Sequence, residues 1–241
     1  MSEKLRTTSP HPLQEGAIIR IYKPKGWTSF DAVNKVKWFI KNTLKLKNIK
    51  IGHAGTLDPL AEGLLIVCTG KKTKEIEQIQ NLPKEYIATI GLGKTTPSYD
   101  LETEFNASFP IEHINQEDVQ KVLTTFHGKI SQTPPLFSAK KIGGKRAYVL
   151  ARSGKSRTLE PVTITIYEIE LMDFKPSEIK IRILCSKGTY IRSLAHDLGQ
   201  ALNSGGYLKE LVRTRIGGYT IETASTPEET CSRLLQDYRN L

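Results

Sequence analysis

Apolar residues repeat at two spacings along this chain. Phe30, Val33, Val36, Ile40 and Leu44 recur at helical intervals behind Thr28 and Ser29, either of which can cap a helix start. Lys35, Lys37, Lys41, Lys45 and Lys47 occupy the polar side. The same spacing predicts a helix over 116–126, capped by Asn115, with Val119, Val122, Leu123 and Phe126 inward. It predicts another carrying Ile191, Leu194, Ala195, Leu198 and Leu202, a short one over 71–81 with Ile76 and Ile79 inward, and a last one over 228–238 after Thr226-Pro227. Strand patterns lie between them. Residues 17–22 and 84–90 are strand candidates, and the unbroken apolar run Leu64 to Cys68 reads as a buried strand. Val162, Ile164 and Ile166 alternate within 161–173, and Ile179, Ile181, Ile183 and Cys185 within 178–185, which predicts an antiparallel hairpin. The class expected is α+β, a mixed and mostly antiparallel central sheet flanked by helices and loops, over 17–241 as one domain. Residues 1–16, polar and holding Ser9-Pro10 and His11-Pro12, read as a flexible leader.

Gly52-His53-Ala54-Gly55-Thr56-Leu57-Asp58-Pro59-Leu60-Ala61-Glu62-Gly63 has a different character. Three glycines and a proline make it a tight loop, and it runs straight into the buried strand. Asp58 is thus a carboxylate on a loop held by a rigid element, which is where catalytic groups collect; a plain Asp-Pro turn is the simpler reading. Further on, Cys185-Ser186-Lys187-Gly188-Thr189-Tyr190-Ile191-Arg192 carries a strand into a helix. An arginine at a helix start gains nothing from the helix dipole, so Arg192 points to another purpose. Two lookalikes of a phosphate loop fail: Ala88 stands where Gly91-Leu92-Gly93-Lys94-Thr95 needs its first glycine, and Lys72 stands where Gly70-Lys71 needs Ser or Thr.

Lys and Arg number 35 against 25 Asp and Glu among 241 residues, a formal charge of +10. That surplus fits a polyanionic partner, nucleic acid before membrane. The stretch 128–154 adds Lys140, Lys141, Lys145, Arg146 and Arg152 among Phe137, Tyr148 and glycines, a composition suited to phosphate contacts and base stacking. Cys68, Cys185 and Cys231 fit no disulfide or metal spacing and point to a reducing cytoplasm. No apolar run approaches the roughly 20 residues of a membrane span, and no signal-peptide region is present.

The loop from Gly52 to Pro59, with Gly63 and Gly70 behind it, resembles the signature of the bacterial tRNA pseudouridine-55 synthases, the TruB family. The Cys185 to Arg192 stretch resembles that family's second signature, Lys23-Pro24-Lys25-Gly26 its opening motif, and Leu211-Val212-Arg213 its Leu-x-Arg pattern. The likeness runs from about Ile18 to Gly217. It implies the pseudouridine synthase fold and Asp58 as nucleophile, with Arg192 paired to it. It implies that Tyr86 lies against the target base, that Tyr190 and Leu211 shape the uridine pocket, and that His53 displaces and holds nucleotides. It places an RNA-clamping insertion near 128–154, over a cleft across the sheet. The family's loop after the fourth strand reads Thr-Asp-Thr with a further Asp, whereas here Thr96 stands for the first aspartate and Asp100 is kept. Many members carry a C-terminal PUA domain, for which this chain seems too short.

The implied reaction isomerises a uridine in the T-arm (TΨC) loop of tRNA to pseudouridine. It needs no metal, cofactor or guide RNA, and a monomer is expected to suffice. Aspartate, ionised at neutral pH, suits a nucleophile, and attack at ribose C1′ or at base C6 would use the same residues. The alternative is an RNA-binding module or tRNA folding helper without catalysis, which would have no need of Asp58. A zinc deaminase or hydrolase lacks its ligand motifs, since the five histidines are scattered.

Overall fold

The computed structural model describes residues 11–137, 141–142, 145–146 and 159–240. In chain order the elements are helix α1 (Pro12–Glu15), strand β1 (Ile18–Lys23), helix α2 (Ser29–Asn42), strands β2 (Ile51–His53) and β3 (Glu62–Thr69), a 3-10 turn (Gly70–Glu75) and helix α3 (Ile76–Asn81). Strands β4 (Lys84–Leu92), β5 (Lys94–Thr95) and β6 (Ala107–Ser108), helix α4 (Gln116–Thr125) and strand β7 (Gly128–Gln132) follow. Then come β8 (Lys141–Ile142), β9 (Lys145–Arg146), β10 (Val162–Lys175), β11 (Glu178–Cys185), helix α5 (Ile191–Ala201), β12 (Gly206–Ile216), β13 (Tyr219–Thr220) and helix α6 (Pro227–Arg239). Within the stretch expected as one domain, the chain forms two compact units. One is residues 1–82 with 213–241, the other residues 83–212.

In the first unit β3 pairs antiparallel with β1, in register Ile19↔Val67 and Ile21↔Leu65, and with β2. Its apolar run is continuous because both faces are covered. Leu65 and Val67 join Ile21, Val36 and Ile40 in one core cluster, while Leu64, Ile66 and Cys68 join Ile79 and Ile216 in another. Helix α2 starts at a capping box, Thr28 accepting from the Asp31 N–H. Its buried stripe is Ser29, Ala32, Val33, Val36 and Ile40. Phe30, expected inward, is instead 66% exposed, because it lies about 100° around the helix from Ser29, and Ser29 holds the inward position.

Two expectations about segment boundaries change. Of the leader expected over 1–16, residues 1–10 lie outside the described residues. Pro12–Glu15 are helical, started by Pro12 and a cap from His11 and anchored by buried Leu13. Of the insertion expected over 128–154, Gly128–Gln132 is a strand paired with β10, in register Ile164↔Ile130; Ser138–Lys140 and most of the basic residues beyond lie outside the described residues.

The second unit is built on β4, β11, β10 and β7 in neighbouring antiparallel pairs, with β12 beside β4. The hairpin of β10 and β11 stands as the alternation predicts, and Ile179, Ile181, Ile183 and Cys185 are fully buried. On the opposite face Arg182 bridges Glu85, Glu168 and Glu170 across three adjacent strands. The connection 93–110, expected to be a polar loop, holds the β5–β6 hairpin and three buried polar residues, Thr96, Ser98 and Asp100.

Gly63 has φ of 104°, and a Cβ there would collide with the Arg213 backbone. Gly63→Ala should therefore lower stability by about 2 kcal/mol or more, read as a drop in the urea unfolding midpoint.

Candidate active site

Asp58 sits on the loop between β2 and β3, and the backbone on both sides of it is pinned by side chains from elsewhere in the first unit. Arg213, 1% exposed, donates from Nε to the Leu64 carbonyl at 2.8 Å, from Nη2 to the Gly55 carbonyl at 3.1 Å and from Nη1 to the Thr56 carbonyl at 3.4 Å. The Ser29 hydroxyl accepts from the Leu57 N–H at 2.8 Å and donates to the Leu57 carbonyl at 3.1 Å. Lys23, with no exposed surface, donates to the Trp27 carbonyl at 2.6 Å, to Pro24 at 3.0 Å and to Pro59 at 3.5 Å. The Gly26 N–H also donates to Pro59, and the Ala61 N–H donates back to the Asp58 carbonyl. Two buried cations and one hydroxyl thus satisfy loop carbonyls that no sheet ladder reaches. A carboxylate on such a loop is held in place before any ligand arrives.

The charges around the loop act on one another. Burial lowers the Lys23 ammonium to about 8, against the pull of the Glu62 and Asp58 charges, which favour its protonated form. Burial also lowers the His53 pKa, Arg213 adds to the fall and a hydrogen bond with the Gly55 backbone opposes it, so the imidazole is neutral at pH 7. His53 is the last residue of β2 and half-buried.

The second unit holds the other four site residues expected from sequence. Arg192 opens α5 and is 4% exposed. Its Nη1 lies 3.7 Å from Asp100 Oδ2 and donates to the Phe137 carbonyl at 3.0 Å. Asp100 is itself 3% exposed, so the ion pair is buried on both sides. Its loop is fixed from within: the Thr96 hydroxyl donates to the Asp100 carbonyl at 2.6 Å, the Glu102 N–H donates to Oδ1, and the Leu208 N–H donates to the Tyr99 carbonyl. Thr96, where the family has an aspartate, is thus a buried loop brace. Tyr190 is the N-cap residue of α5, and buried Gln132 brackets it, accepting from its N–H at 2.8 Å and donating to its carbonyl at 3.0 Å. Tyr86, 9% exposed, lies in β4 opposite Ile183, and Leu211, 8% exposed, lies in β12.

His53 and Asp58 therefore belong to the first unit, and Tyr86, Tyr190, Arg192 and Leu211 to the second. Sequence reading missed Ser29, Lys23, Arg213 and Asp100 as parts of this machinery. Signals existed for two of them. Lys23 continues the alternation of Ile19 and Ile21 onto the buried face of β1, and Arg213 shares a face of β12 with Leu211. For Ser29 and Asp100 the sequence holds no comparable signal, since their partners are far along the chain.

A family model described as TruB family pseudouridylate synthase (N terminal domain) matches residues 41–191. A protein named tRNA pseudouridine synthase B from Parabacteroides distasonis is 56% identical over 214 residues, covering 89% of this chain and 91% of that protein. The chain belongs to the TruB family of pseudouridylate synthases. Solved structures agree: the TruB-family chain is similar to a chain of a Cbf5–Nop10–Gar1 complex, at 31% identity and TM-score 0.68, and to a chain of an H/ACA RNP bound to a substrate RNA containing 2′-deoxyuridine, at 27% and 0.67. Those matches cover 91% and 95% of this chain and 54% and 56% of the other two. The mixed sheet with its helices is accordingly a pseudouridine synthase fold.

Two outcomes follow from the charges. Between pH about 8 and 10.5 the unfolded chain keeps a proton on Lys23 that the folded chain has released, so stability from this residue rises with pH across that window. Lys23→Met has no such proton, and the gap in unfolding free energy between wild type and this variant should shift in favour of wild type from pH 8 to 10.5, measured by urea unfolding at several pH values. Asp100→Asn leaves the buried Arg192 charge without its acidic neighbour, and should cost about 3 kcal/mol of unfolding free energy. An unchanged midpoint would mean that the pair contributes nothing.

Proposed function

We propose that this chain is a tRNA pseudouridine synthase that isomerises a uridine in the T-arm (TΨC) loop, with Asp58 as nucleophile. The observation that carries the reading is the Asp58 loop, whose neighbouring backbone is fixed by Arg213, Ser29 and Lys23. A nucleophile gains most from being positioned in advance, because its orientation then costs nothing at the moment of reaction. The relatives named tRNA pseudouridine synthase B support the substrate class.

The reaction breaks the bond from ribose C1′ to base N1 and forms one from C1′ to C5; the proton on C5 leaves and N1 ends protonated. No electrons are gained or lost. The uridine first leaves its stack, at a cost of roughly a few kcal/mol. His53, neutral at pH 7, helps displace and hold the flipped nucleotides. Asp58 attacks either C1′ or C6, forming a covalent intermediate in which the freed base turns. Arg192 supplies the positive charge that keeps the nucleophile ionised. Tyr86 stacks on the base and handles a proton as C5 releases its own, while Tyr190 and Leu211 line the uridine pocket. The chain acts in the cytoplasm as a monomer and needs no guide RNA. Among the described residues no helix is long and apolar enough to cross a membrane.

Tritium release from tRNA labelled at uridine C5, followed by mapping of the modified position, tests the reaction. The wild-type chain should release tritium from the T-arm loop alone. Asp58→Asn should keep tRNA affinity and release none, and Arg192→Ala should lose about 100-fold or more in kcat, by analogy with removal of a single electrostatic group from an active site. Turnover by Asp58→Asn would remove Asp58 from the role of nucleophile. Tight binding without release by the wild-type chain would instead favour an RNA-binding module.

A further inference from the structure

The outer side of α2 is more than a solvated lysine face. Phe30 is 66% exposed and Trp38 is 63% exposed. At 3.6 residues per turn, Phe30, Lys37, Trp38 and Lys41 fall in one stripe about 100° wide, turned away from Val33, Val36 and Ile40. Capping and the buried stripe already account for the helix, so two large aromatic rings held in water serve no purpose in folding it. Neither Lys37 nor Lys41 forms an ion pair among the described residues, so their charges are open to a partner.

The stripe begins next to the Asp58 loop. Ser29, hydrogen-bonded both ways to the Leu57 backbone, immediately precedes Phe30. From Phe30 to Lys41 the helix rises about 16 Å, the length of several stacked nucleotides. Aromatic rings between cations on one face match a strand of unstacked bases and phosphates. A second copy of this chain would set lysines against lysines on a molecule that already carries +10.

We infer that this stripe of α2 is a further RNA-contact surface, in which Phe30 stacks on an unpaired base flanking the target nucleotide and Lys37, Trp38 and Lys41 hold the strand leading away from it. The inference rests on the RNA substrate proposed above and extends it beyond the base that reacts.

Tritium release by the wild-type chain tests the reaction independently of the stripe. With turnover established, Phe30→Ala should raise KM for tRNA about ten-fold and leave kcat within about two-fold. Phe30→Trp should restore KM, whereas Phe30→Leu, apolar but without a ring, should not. Lys37→Gln combined with Lys41→Gln should reduce the slope of log affinity against log salt by about one. Wild-type KM in the Phe30 variants together with a wild-type salt slope in the lysine variant would overturn the inference. So would a fall in kcat at unchanged KM, which would place Phe30 in support of the loop, and so would a change in sedimentation at unchanged KM, which would mark a protein contact. Should the wild-type chain fail to turn over, tRNA affinity of the same variants still decides the stripe while the reaction itself is refuted.

Discussion

The hold of Arg213 on the loop from Gly55 to Leu64 is the constraint on which the first unit's site depends. A loop that carries an ionised group cannot join a sheet ladder without losing its shape, yet its carbonyls must be satisfied where water is scarce. A guanidinium answers this, because it offers five donors in a fixed plane and cannot shed its charge. Arg213 spends its donors on three carbonyls of one loop and is almost wholly out of solvent. Lys23 performs a similar task at Pro59, but its ammonium is pushed down toward neutrality by the same burial. The two cations also set a positive field around Asp58, which favours its charged form.

The second unit solves a related problem with opposite parts. Arg192 is also buried, and here the compensation includes a carboxylate, Asp100, held on a loop stitched together by Thr96 and tied to Leu208. A buried ion pair of this kind contributes little net stability over an apolar substitute, but removing either partner is costly. What the pair secures is the position of a guanidinium at the start of α5. Gln132, Tyr190 and Ser193 fix the same junction, the Ser193 hydroxyl donating to the Thr133 carbonyl. The strand that opens the basic segment thereby supports the helix that carries Arg192.

Much of the architecture was legible from residue patterns. Alternation in 161–173 and 178–185 named a hairpin that stands in register, and the unbroken run Leu64 to Cys68 named a strand buried on both faces. Asn115 and Thr226 marked helix starts by side-chain capping chemistry, which is local. Errors arose where local and tertiary demands differ. Phe30 fits the helical apolar spacing, but Ser29 took the buried position because its hydroxyl bonds the Leu57 backbone 28 residues away. The Thr96 to Asp100 stretch looks like a solvated loop until its partners on α5 and β12 are known.

By itself, then, the sequence determined the periodic elements, the mostly antiparallel sheet, the tight loop that bears Asp58 and, through two separated signatures, the family. These depend on interactions between near neighbours or on unbroken runs of residues. Only the tertiary structure decided which charged residues are buried and what they hold. Lys23, Arg192 and Arg213 are ordinary cations in a chain with 35 of them. Their roles come from carbonyls and a carboxylate that lie 36 to 158 residues away at Pro59, Asp100 and Gly55. A long polar side chain carries no local mark of whether it ends in water or among buried acceptors, because that depends on where distant backbone is brought to meet it.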